Sequence, residues 1–194
     1  MTRLAFQYAA ETGDWTIELA PHAAGLALGT TPRYEFFARL DAFQRAVIGL
    51  VRGTEADMPA AADTGRGLLS LQMRALRARA RGDSTAWHTT LRQAVEVENG
   101  GDAVGPPLAL VSHDLLAASL LAAGEAADAA KLYEASLERR PRRPAALLGL
   151  ARARAAAGDR AGSAAAYATL REVWHAADPD LAASARAGGE RSGR

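Results

Sequence analysis

Near its C-terminus the sequence matches itself at an offset of 34 residues: Gly158 follows Gly124, Tyr167 follows Tyr133, Ala151 follows Ala117, Leu150 follows Leu116 and Ser163 follows Ala129. A fixed offset of this length marks a helical-hairpin repeat, in which each unit buries its apolar face on the next. Every match has a mechanical reason. Glycine at the turn between paired helices takes a backbone angle that other residues adopt at a cost, and small residues let the helices approach closely. Composition points the same way. Of the 194 residues 49% are hydrophobic but only 6% aromatic, so the core must be built chiefly from Ala and Leu, which are strong helix formers.

The turn pattern extends upstream. Gly13-Asp14, Gly53-Thr54, Gly82-Asp83, Gly124-Glu125 and Gly158-Asp159 each set a helix-ending glycine before a residue suited to an N-cap or a first helical turn. Five hairpins follow, and only the last two keep the strict period. The first pairs a helix near residues 3–12 with a short one near 15–20. Thr31-Pro32 then opens a helix reaching about Val51, whose stripe of Tyr34, Phe36, Phe37, Leu40, Phe43, Val47, Ile48 and Leu50 has helical spacing. Core packing is the first use for that aromatic cluster and a ligand pocket the alternative. A third hairpin is predicted over about 67–81 and 85–97. Aligning Gly82 with Gly124 places Ala75 where Ala117 falls and Leu91 where Tyr133 falls.

The glycine- and proline-rich stretch from Asn99 to Pro107 separates a divergent half, residues 1–99, from a regular half, 107–176. Asp178-Pro179 opens a capping helix over 178–187, and residues 188–194 read as a flexible tail. The expected fold is therefore all-α: a single domain over 1–187, forming a right-handed solenoid of about five antiparallel hairpins with a C-terminal cap.

From about Leu110 to Ala176 the chain resembles tetratricopeptide repeat proteins, and the stretch looks like the C-terminal part of longer bacterial members. The first good repeat, HDLLAASLLAAGEAADAAKLYEASLERRP from His113 to Pro141, carries Ala117, Leu120, Gly124, Ala129, Tyr133, Ser136 and Pro141 at family positions. The second, ALLGLARARAAAGDRAGSAAAYATL from Ala146 to Leu170, departs at Arg154, where the family prefers an apolar residue, and His175 stands where it prefers proline. The resemblance implies a scaffold for protein interaction, with the first helix of each hairpin lining a concave surface. The residues it places there are Leu40, Phe43 and Val47, then Leu69, Gln72 and Leu76, then Val111, Asp114 and Ala118, then Ala145, Leu148 and Arg152. The Lys, Arg and Asn set that clamps the terminal carboxylate of chaperone tails in this family is almost wholly missing. A largely apolar groove suits an amphipathic helix or a hydrophobic peptide segment, unless the chain buries these residues itself.

Other classes find less support. There is no cysteine, which removes disulfides, thiolate metal sites and a cysteine nucleophile. Net charge is +1, so no global argument points to nucleic acid or an anionic membrane. No window approaches the roughly 20 apolar residues of a membrane span, and no secretory apolar stretch follows Met1, so a cytoplasmic location is expected. None of His22, His88, His113 and His175 has a second histidine at ligand spacing, and adjacent His113 and Asp114 diverge on a helix. No phosphate loop, nucleophile elbow or paired-carboxylate motif is present, so neither enzyme, cofactor nor metal site is expected. Arg139, Arg140, Arg142 and Arg143 around Pro141 form the one dense basic cluster, suited to an acidic partner or simply to a solvated helix end. At the other end Leu4, Phe6, Tyr8 and Trp15 leave an apolar face that is expected to meet another chain. The leading expectation is an adaptor that binds another protein, as a subunit of a larger complex. The alternatives are a self-associating homo-oligomer and a small helical enzyme or ligand-binding protein built on the cluster at 34–43.

Overall fold

A computed structural model of the chain describes residues 67–100 and 111–174, with Phe43, Gln44, Val47 and Ile48. Those four residues are helical and buried: Phe43, Val47 and Ile48 belong to the stripe on the expected helix, and the polar Gln44 does not. Among the described residues there is no strand, and six helices run along the chain: α1 Leu68–Ala80, α2 Ser84–Asn99, α3 Ser112–Ala122, α4 Ala126–Arg139, α5 Pro144–Ala156 and α6 Arg160–Trp174. The chain divides into two compact units, Met1–Ala109 and Leu110–Arg194, where one domain was expected. The division falls just beyond the glycine- and proline-rich stretch that separates the two halves of the sequence. The expected first hairpin, the Gly53 turn, the capping helix and the tail lie outside the described residues.

Three helices end in the same way. Gly82, Gly124 and Gly158 have φ of 74, 88 and 84°. At each, the glycine N–H and the next residue's N–H reach back to the carbonyls of the last turn: Gly124 to Leu121 at 3.1 Å and Glu125 to Leu120 at 2.9 Å, with the same pairing after α1 and α5. This paired closure satisfies carbonyls that the helix end would otherwise leave bare. The following helix then starts at once. Asp83 accepts from the Ala86 N–H at 2.9 Å and Asp159 from the Gly162 N–H at 2.8 Å, so both act as caps. Glu125 stands at the same place and makes no side-chain cap.

Such short connections force neighbouring helices to run antiparallel. In the first unit α1 packs on α2, where Leu71, Ala75, Leu76, Trp87, Leu91 and Ala94 are buried and Arg79 lies over the Trp87 ring at 5.6 Å. In the second unit α3 packs on α4, α4 on α5 and α5 on α6, with a smaller contact between α3 and α5. Burial there repeats with the sequence: Leu116 and Leu150, Ala117 and Ala151, Ala129 and Ser163, and Tyr133 and Tyr167 are buried pair by pair. The Tyr133 ring lies so close to α5 that a Cβ on Gly149 would stand 2.2 Å from its Cζ. Glycine at that position is what allows α4 and α5 to meet.

Candidate partner-binding face

The first-helix positions picked out by resemblance do not share one environment. Phe43 and Val47 are buried, as are Gln72 and Leu76 on α1 and Val111 just before α3. An apolar side chain enclosed in this way is committed to the core and presents no surface to a partner. Leu69 is half-buried on α1. Leu40 lies outside the described residues, as do Leu4, Phe6, Tyr8 and Trp15. In the second unit Ala118 and Arg152 are exposed, and Ala145 and Leu148 are half-buried. What remains open is therefore a face with Leu69 on α1, and one carrying Ala118, Ala145, Leu148 and Arg152 on α3 and α5.

Asp114 has a more particular setting. It sits in the first turn of α3 and accepts a hydrogen bond from the Ser136 hydroxyl of α4 at 2.6 Å. Arg143, the residue that precedes α5, places Nη2 2.6 Å from Asp114 Oδ2, with the two side chains only 15% and 16% exposed. The triangle closes where Arg143 Nη1 donates to Ser136 Oγ at 3.2 Å. Beside it the Tyr133 phenol is pushed up to about 12, first by burial and then by the Asp114 charge, with Arg152 pulling the other way. His113 is buried next to Asp114 in sequence, and the carboxylate faces Ser136 and Arg143.

This network changes the reading of the basic cluster. Arg143 is neutralised by Asp114, and Arg142, more exposed, lies 3.9 Å from Glu172. Arg139 and Arg140 also make contacts within the chain, so the four arginines do not form a free cationic patch. Arg154 likewise finds partners. Its Nη2 and Nε donate to Glu134 Oε1 at 2.8 and 3.2 Å and its Nη1 to the Gly162 carbonyl at 3.1 Å, joining α4, α5 and α6. The place that Leu120 fills with apolar contact in the preceding hairpin is filled here by a tether.

Among the described residues no group of three His, Cys, Asp or Glu is placed to hold a metal ion, and no helix is long and apolar enough to cross a membrane. What α3 and α5 leave open is the small and aliphatic Ala118, Ala145 and Leu148 together with the exposed guanidinium of Arg152. Compared with protein-family models, curated proteins and solved structures, the chain matches none.

Proposed function

We propose that the chain is a tetratricopeptide-like scaffold whose first-helix face holds a segment of another protein. The observation that carries this reading is the repetition of environment along three hairpins: Ala75, Ala117 and Ala151 are all fully buried, Leu91, Tyr133 and Tyr167 are buried at matching places, and Gly82, Gly124 and Gly158 turn the chain identically. Repetition of this kind is the rule by which solenoids are built, and a solenoid offers an extended surface more readily than a catalytic cleft. Ala118, Ala145 and Leu148 would take the apolar side of an incoming segment, and Arg152 an acidic residue or a carbonyl at its edge.

The test is capture of partners from the native source by the full chain, followed by reconstitution with the purified candidate. Leu148→Asp and Arg152→Glu alter half-buried or exposed positions, so both should leave the melting temperature within a few degrees of wild type. Each should weaken the reconstituted complex by roughly tenfold or more if it removes a central contact. A partner whose binding survives both changes, or a chain that binds only itself, would overturn the proposal.

A further inference from the structure

The polar triangle of Asp114, Ser136 and Arg143 sits where the α3–α4 hairpin meets the α5–α6 hairpin. One hairpin further on, at the same offset of 34, Asp114 and Ser136 correspond to Leu148 and Leu170, and Leu170 is fully buried. In the α1–α2 hairpin, aligned on Gly82 and Gly124, the corresponding residues are Gln72 and Ala94, both fully buried. Uncharged residues therefore stand at the aligned positions of the other two hairpins. A largely buried ion pair is seldom more stabilising than apolar residues of the same volume, because desolvation offsets most of the attraction. What it adds is direction, since a guanidinium that faces a carboxylate as an ion pair while donating to the Ser136 hydroxyl has few permitted orientations.

The residues involved lie where direction matters. Asp114 is in the first turn of α3, Arg143 directly precedes α5, and between α4 and Arg143 the chain turns through Arg142 at φ 62°. Contact between α3 and α5 is otherwise small. We propose that Asp114, Ser136 and Arg143 form a charge-dependent clasp that sets the step from one hairpin to the next by holding the start of α5 against the start of α3. With the clasp closed, α3 and α5 present a single fixed face. With it open, the α5–α6 hairpin stays folded but its first turn is free to shift against α3.

Amide hydrogen exchange on the full chain tests this. The reporters are the N–H of Leu115, bonded to the Val111 carbonyl at 3.1 Å, and that of Leu147, bonded to the Arg143 carbonyl at 3.0 Å. The controls are Ser163 to Asp159 in α6 and Trp87 to Asp83 in the other unit, each at 3.0 Å. Asp114→Asn and Arg143→Gln should each speed exchange at Leu115 and Leu147 by roughly tenfold or more, while the controls change by less than about twofold. The triple variant Asp114→Leu, Ser136→Leu and Arg143→Leu replaces every polar member of the clasp and leaves no buried charge unpaired. It should melt at or above the wild-type temperature yet keep the faster exchange at Leu147. Equal acceleration at all four amides, no acceleration at either reporter, or loss of helical signal in both single variants would overturn the clasp. So would full protection in the triple variant, because charge would then be unnecessary.

Discussion

At the residue scale, Tyr133 concentrates the constraints. Its ring is buried between helices, its hydroxyl lies in the field of Asp114, and Gly149 leaves room for it and nothing more. Tyr133→Ala should cost about 3–5 kcal/mol in a denaturant melt, as for other large aromatic-to-alanine changes in cores. Gly149→Ala should also destabilise, by about 1–3 kcal/mol, since the added methyl meets a buried ring rather than the loose end of an exposed side chain. The phenol supplies a second readout. Its value of about 12 stands above the ordinary 10.0, so the native state keeps a proton that the unfolded chain releases. The resulting stability is fully present below about pH 10 and is lost as pH rises from there towards about 12. Ultraviolet titration of the tyrosinate should show this late ionisation, and Asp114→Asn should bring it down. Unchanged ionisation in that variant would mean the carboxylate does not act on the ring. The equivalence of Tyr133 and Tyr167 is legible in the sequence because a repeat puts equal residues in equal places. The role of Gly149 is not, since it depends on a ring from the preceding helix and no local turn demands it.

At the element scale, local chemistry decides the helices, and so their bounds are nearly those the sequence predicts: 67–81 and 85–97 against Leu68–Ala80 and Ser84–Asn99. The glycines at 82, 124 and 158 do this by taking φ values that a side chain resists. Alanine at any one of them should destabilise by about 1 kcal/mol in thermal or denaturant unfolding. Arg142→Gly supplies the converse. Arginine there already sits at φ 62°, so glycine relieves strain while adding freedom to the unfolded chain, and the two effects should nearly cancel. A cost for Arg142→Gly matching that of the three alanine changes would show that the arginine side chain, rather than the backbone angle, matters at this turn. The candidate face was less legible than the helices. Resemblance places Phe43, Val47, Gln72, Leu76 and Val111 on a concave face, but it cannot say whether that side faces a core or a partner, and all five are buried. Asp114 stands 22 residues before Ser136, and the two meet Arg143 only through the rotation of α3, α4 and the turn before α5. No spacing rule announces them. Arg154, a misfit to an apolar consensus, is explained only by Glu134 and the Gly162 carbonyl on the neighbouring helices.

At the scale of the whole molecule, the division at Ala109 and Leu110 is the feature with most consequence for experiment. Within Leu110–Arg194 each helix packs chiefly on the next one in sequence, so its core is assembled from contacts close along the chain. Stability in such an array is approximately a sum of hairpin terms and nearest-neighbour interfaces, and folding needs no distant strand or loop to close first. Leu116, Leu120, Tyr133, Leu147, Leu150, Tyr167 and Leu170 give this unit a buried aliphatic and aromatic core of its own. A fragment of residues 110–194 should therefore be helical by circular dichroism and unfold in one cooperative step. Dispersed amide signals should be retained for Tyr133 and Tyr167. Because the α3–α4 and α5–α6 hairpins share the α4–α5 interface, Gly149→Ala in this fragment should lower the midpoint of that single step without splitting it. Two separate transitions in the unmodified fragment would mean that the hairpins fold independently and that the α4–α5 interface contributes little. A fragment lacking cooperative unfolding altogether would show that the second unit takes its order from residues before Leu110.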